Sequence, residues 1–80
     1  MRLSILFFGV TSDIAQTASK DFQFEKPVTI AELKSFLKKE YPGLKNINDF
    51  ALAVNEVYAN DDDILKSGDI VAIIPPVSGG

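Results

Sequence analysis

The amino-acid sequence predicts an α+β fold, with one main helix packed on one face of a mixed sheet of four to five strands. Three observations carry that expectation. Apolar strand-like runs stand near both ends of the chain, at residues 2–8 and Ile70–Ile74. One stretch with helical apolar spacing, residues 30–41, comes after the first two strands. A single long helix can cover only one face of a sheet, which implies a two-layer domain.

In residues 2–8, Leu3, Ile5 and Phe7 share one face while Arg2 and Ser4 take the other. Leu6 and Phe8 put apolar groups on the face that began polar, which predicts either a strand covered on both sides or, because a second cover is scarce in so small a domain, an exposed apolar patch. Residues 9–20 are polar and small, and read as a loop with one turn of helix around residues 12–16. Residues 21–25 alternate with Phe22 and Phe24 inward, a second strand in a hairpin with the first, ended by Lys26-Pro27. Thr29 followed by Glu32 fits a capping box, in which each side chain bonds the other's backbone N–H. Ile30, Leu33, Leu37 and Tyr41, with Phe36 alongside, form the core-facing stripe of the helix. Lys34, Lys38, Lys39 and Glu40 form its solvated face, and Pro42-Gly43 stops it.

Beyond the helix, Leu44, Ile47 and Phe50 are expected to tuck an irregular stretch under the core. Residues 51–54 read as a short strand, Asn55-Glu56 as a tight turn, and residues 57–59 as an edge strand. Asn60-Asp61-Asp62-Asp63 lacks the ligand spacing and glycine of a calcium loop, and reads as a solvated turn. Lys66-Ser67-Gly68-Asp69 is a turn with Gly68 at positive φ. The near-continuous apolar run Ile70–Ile74 suits a central strand, expected to lie parallel to the first.

Eighty residues make one small domain that can bury only about 60–65% of the surface of its unfolded chain. A hydrophobic fraction of 46% is ample for one core. The chain has no Cys and no His, so it lacks a thiol nucleophile, a thiolate metal site and the usual general base. Those absences count against a self-contained enzyme. Net charge is −3 and the basic residues are scattered, which argues against a nucleic-acid partner. The opening apolar run is short and lacks a small-residue cleavage pattern, and no stretch approaches the ~20 apolar residues of a membrane span. A cytoplasmic chain with no membrane partner is the expectation.

The end of the sequence stands apart. Residues 1–74 read as the domain and residues 75–80, Pro75-Pro76-Val77-Ser78-Gly79-Gly80, as an extended tail. The two prolines have fixed φ and no N–H, so they leave the sheet and stiffen the root of the tail. Gly79 and Gly80 lack a Cβ and can pass through a channel too narrow for a side chain. Fully extended, the tail reaches roughly 20 Å. A stiff spacer and a slender tip, ending in a free Gly80 carboxylate, make this the expected working part of the chain.

These features resemble the ubiquitin-like β-grasp superfamily, and within it the small subunit of molybdopterin synthase, the MoaD family of sulfur carriers. Leu6-Phe7-Phe8-Gly9, Ala53-Val54-Asn55, Ser67-Gly68-Asp69 and the ending Pro75-Pro76-Val77-Ser78-Gly79-Gly80 carry the resemblance, which spans essentially the whole chain. A terminal Gly-Gly alone is shared by ubiquitin-like modifiers and other sulfur carriers; the Pro-Pro-Val-Ser-Gly-Gly ending is more specific. Ile70 departs from the family, which often has an acidic residue there.

The resemblance implies a non-catalytic, sulfur-donating subunit that binds no cofactor. A ubiquitin-activating-like adenylyltransferase would use ATP to adenylate Gly80, which would become a thiocarboxylate. Gly79 would allow the tail access to the large synthase subunit, where sulfur passes to the pterin precursor of the molybdenum cofactor. A heterotetramer with the large subunit is implied as well. Phe8, Tyr58 and Ile74 would form an apolar docking patch, with Pro75, Pro76, Val77 and Ser78 contacting partners along the tail. The alternatives are a carrier for thiamine, cysteine or tRNA thiolation, a protein modifier, and a plain interaction module with an inert tail.

Overall fold

The computed structural model of the chain describes residues 1–47 and 50–76. Strand β1 spans Arg2–Phe7, helix α1 Val10–Ala15, β2 Ser19–Gln23, α2 Ile30–Glu40, β3 Ala51–Val54, β4 Val57–Tyr58 and β5 Ile70–Ile74, with a 3-10 helix at Pro42–Asn46 after α2. The strands form one mixed sheet in the order β2-β1-β5-β3-β4. The expected α+β β-grasp architecture is present, with five strands and one main helix among the described residues. β5 lies between β1, parallel to it, and β3, antiparallel to it. The near-continuous apolar sequence of β5 fits this central position, because its neighbours on both sides satisfy its backbone groups and cover its flanks.

The core lies between the inner face of the sheet and α2. Leu3, Ile5 and Phe7 of β1, Leu52 of β3, and Val71 and Ile73 of β5 meet Ile30, Leu33 and Leu37 of α2, all of them buried. Leu44, Phe50 and Leu65 close the ends of this cluster, and Ile47 packs against it as expected. Phe36 is wedged edge-on against Phe22 and Phe24, with ring centroids 5.2 and 5.0 Å apart. Each fully buried aliphatic side chain contributes about 1.5–3 kcal/mol of transfer free energy.

α2 begins with the predicted capping box. Thr29 Oγ1 accepts from the Glu32 N–H at 3.2 Å, and Glu32 Oε1 accepts from the Thr29 N–H at 2.9 Å. The acidic turn at residues 60–63 supplies two further acceptors that are not legible in the sequence. The carbonyls of Asp63 and Asp61 accept from the N–H groups of Ile30 and Ala31, satisfying donors that every helix start leaves open. Lys34 Nζ meets Asp61 Oδ1 at 2.9 Å and ties the turn to the next coil of the helix.

The first third of the chain differs from expectation in two places. A helix of nearly two turns, α1, starts at Val10, whereas the composition of residues 9–20 suggests only one turn around residues 12–16. Gly9, at φ 55° and ψ −133°, reverses the chain straight out of β1 in a conformation that a Cβ disfavours. The Ser12 hydroxyl then donates to the Gly9 carbonyl at 2.8 Å, and Gln16 ends α1 in the left-handed region. The second strand is Ser19–Gln23, two residues earlier than residues 21–25. Lys20 faces Ile5 across the ladder on the inner face, and its ammonium lies 5.6 Å from the Phe22 ring centroid. A lysine whose stem runs along the sheet edge hides the alternation there. Phe24 lies past the ladder, but its backbone still exchanges hydrogen bonds with Met1 and it faces inward as expected.

Candidate functional site

The face of the sheet turned away from α2 carries the candidate site. Because paired residues point to the same side of a sheet, the register alone determines who meets there. Leu6 pairs with Ala72, Ala72 with Ala53, and Ala53 with Tyr58, a row of apolar groups running across four strands. One step along, Phe7 pairs with Ile73, so Phe8 leaves β1 beside Ile74 on the outer face, and Ile74 pairs with Ala51. Phe8 is 50% exposed and Tyr58 68%, while Ile74 is half-buried by its neighbours. Three of the predicted patch residues thus share one face.

Around Phe8 the face sinks into a depression of about 460 Å³ lined by Leu6, Phe8, Ala53, Ile70 and Ala72, with Asn55 and Glu56 on its wall. Sequence reasoning does not single out Ile70, Ala53 or Ala72 as site residues. A signal for them exists: the outward positions of a central strand are apolar here, where a solvated face would be polar. Tyr58 stands at the margin of this depression and lines a second groove of about 270 Å³ on the other side of β4, with Val57 and Ile64. The small residues Ala53 and Ala72 make the floor, and the larger Phe8 makes the wall, so the depression can take an apolar side chain from another molecule.

The tail starts at one end of this face. β5 stops at Ile74, and Pro75 and Pro76 continue outside the ladder. The backbone of Gly9 closes the approach on the β1 side: a Cβ placed there would stand 3.4 Å from Pro75 Cγ. Val77, Ser78, Gly79 and Gly80, the remaining predicted site residues, lie outside the described residues. Among the described residues no group of three or more His, Cys, Asp or Glu side chains could hold a metal, and no helix is long and apolar enough to cross a membrane.

At the β1–β2 corner of the far end the face is polar and the charges are paired. Arg2 Nη2 donates to Asp21 Oδ2 at 2.6 Å and Ser4 Oγ donates to Asp21 Oδ1 at 2.9 Å. These two bonds hold the Asp21 carboxyl below its ordinary range, against a smaller opposing effect of desolvation.

The wall of the depression is a strained turn. Asn55 and Glu56 both adopt the left-handed region, at φ 50° and 74°. Asn55 anchors the turn to the start of β5. Its N–H donates to the Ile70 carbonyl at 2.8 Å, and its side-chain Oδ1 accepts from the Ile70 N–H at 3.0 Å. The side chain stands in for the backbone acceptor the turn has carried away. Its Nδ2 also donates to Asp69 Oδ1 at 3.0 Å, and Asp69 Oδ2 accepts from the Lys66 N–H at 2.8 Å. The segments Ala53-Val54-Asn55 and Ser67-Gly68-Asp69, well separated in sequence, are therefore two halves of one hydrogen-bonded clamp.

Comparison with known proteins bears on the family and the fold. The ThiS family profile matches residues 5–80. The molybdopterin synthase sulfur carrier subunit of Drosophila melanogaster is 36% identical over 84 aligned positions, which cover 100% of this chain and 92% of that protein. Subunit 1 of the Helicobacter pylori molybdopterin-converting factor, solved in complex with subunit 2, superposes with a TM-score of 0.70 at 30% identity and covers 100% of both chains. A small Pyrococcus furiosus protein superposes with a TM-score of 0.87 at 23% identity, covering 96% of this chain and 99% of that one, and shows the shared fold.

Proposed function

The chain belongs to the ThiS family, and from that membership we propose that it is the sulfur carrier subunit of a molybdopterin synthase. The observation that carries the proposal is the placement of the tail root. β5 runs parallel to β1 and ends beside Phe8, so the chain leaves the sheet at Pro75, at the edge of the apolar outer face. A partner that covers this face takes hold of the tail at the same time. Residues 1–74 act as the docking body and residues 75–80 as the working arm. The large synthase subunit covers the face, with Phe8, Tyr58 and Ile74 as anchors, since buried aromatic and aliphatic groups dominate most interfaces.

In this reading Gly80 carries the chemistry. A carboxylate is a poor electrophile, so an adenylyltransferase joins it to the α-phosphate of ATP and releases pyrophosphate. The resulting acyl adenylate has a good leaving group. A sulfide equivalent displaces AMP and leaves a thiocarboxylate at Gly80. In the large subunit the thiocarboxylate sulfur attacks a side-chain carbon of the pterin precursor, and an oxygen substituent leaves that carbon. Water then cleaves the acyl–sulfur bond of the resulting thioester, which restores the Gly80 carboxylate and leaves the sulfur on the pterin. Gly79 and Gly80 suit both active sites, because neither adds a side chain to a narrow channel. Acids, bases and anion-binding groups come from the partners, consistent with a chain that has neither His nor Cys. ATP is consumed by the activating partner, and the whole cycle is cytoplasmic.

The test is direct. Intact mass of the protein purified from its native host should show the gain expected for replacing one carboxylate oxygen with sulfur. That species, mixed with the large subunit and the pterin precursor, should yield the dithiolene. Deleting Gly79 and Gly80 should abolish transfer and leave the folded core unchanged. A thiocarboxylated chain that transfers no sulfur would refute the proposal.

A further inference from the structure

This inference deepens the functional reading above and rests on it. Glu56 occupies a position that suits another residue. A two-residue hairpin turn with both central residues left-handed favours Asn-Gly, because the second position strains any residue with a Cβ. This chain has Asn55 at the first position and Glu56, at φ 74°, at the second. Strain of this kind persists where the surroundings enforce it and often accompanies function. Here the Asn55 clamp to Asp69 and Ile70 enforces it.

The carboxylate so placed has no hydrogen bond or ion pair among the described residues, unlike Asp21 and Asp69 nearby. It is also the one charged side chain among the described residues that lines the apolar depression. Covering the depression with a purely apolar surface would leave this charge without water and without a partner, which is unfavourable. The surface that docks there has to bring a cation.

We propose that Glu56 determines specificity for the large synthase subunit by pairing with an arginine or lysine of that subunit. That residue would lie next to the apolar group that fills the depression between Phe8, Ala72 and Ile70. The strain at Glu56 is then the cost of holding the carboxylate at the rim, and the net charge of −3 favours a basic partner surface.

Calorimetric titration of the large subunit of the same organism with the full chain, Glu56→Gln and Glu56→Gly tests this. Both variants should bind about tenfold more weakly at roughly 50 mM salt, and the deficit should shrink at roughly 500 mM. In the free protein Glu56→Gly should raise Tm by about 2–6 °C through relief of strain, while Glu56→Gln leaves it unchanged. Equal affinity of all three proteins, a deficit that does not shrink with salt, or a lower Tm for Glu56→Gly would overturn the inference and leave the functional reading standing. A wild-type chain that does not bind the large subunit overturns both.

Discussion

The Asn55 clamp permits a worked prediction, since one side chain contributes two separable effects. Its amide makes two hydrogen bonds, to Asp69 and to the Ile70 N–H, each contributing about 0.5–1.5 kcal/mol where water is excluded. Both bonds are solvent-exposed, so together they should contribute about 1 kcal/mol, near the low end of that range. Asn also tolerates the left-handed region better than Ala, which adds about 0.5–1 kcal/mol at φ 50°. Asn55→Ala should therefore lower stability by about 1.5–2 kcal/mol, a sizeable share of the roughly 4–12 kcal/mol available to a domain of this length. Asn55→Gly keeps the left-handed backbone without strain and loses only the amide, so it should cost about 1 kcal/mol. Urea unfolding at constant slope measures both. A cost below about 0.5 kcal/mol for Asn55→Ala would refute the clamp. A cost for Asn55→Gly equal to that of Asn55→Ala would refute the conformational contribution.

Phe8→Asp should change Tm little, because the ring is half exposed, yet weaken large-subunit binding by at least about 30-fold in calorimetry. Leu37→Ala removes a fully buried side chain between α2 and the sheet and should cost about 2–5 kcal/mol in chemical denaturation. Asp21 titrates below its ordinary value of 3.8, so its pairing stabilises the fold above that pH and is lost as pH falls through the folded-state value. Arg2→Ala, which removes the larger of the two causes, should bring the Asp21 carboxyl back toward 3.8 in an NMR titration and make acid unfolding less steep. Unchanged titration in Arg2→Ala would show that Ser4 alone holds the shift.

Much of the molecule obeys local rules that any reader of the chain can apply. The capping box at Thr29, the stripe of Ile30, Leu33 and Leu37, and the inward set Leu3, Ile5 and Phe7 all sit where their spacing requires. The same holds for the apolar run of β5 in the centre of the sheet and for positive φ at Gly68, because each depends on residues within one turn or one strand. The off-pattern Leu6 and Phe8 leave two readings in the sequence, a second cover or an apolar outer face, and the exposure of Phe8 in the structure decides for the latter.

Tertiary structure alone decides everything that joins distant segments. The row Leu6-Ala72-Ala53-Tyr58 exists only through the register of three strand pairs. The acidic turn at residues 60–63 looks like a solvated loop until its carbonyls are seen on the first N–H groups of α2. Helix α1 depends on the backbone reversal at Gly9, and the start of β2 on a lysine that masks its alternation. Asn55 and Asp69 meet because β3 and β5 are neighbours, and that contact in turn places Glu56 on the wall of the depression. Local propensity acts over a few residues, whereas faces, clamps and rims arise from pairings between residues far apart in the chain, and the candidate docking site is made of those pairings.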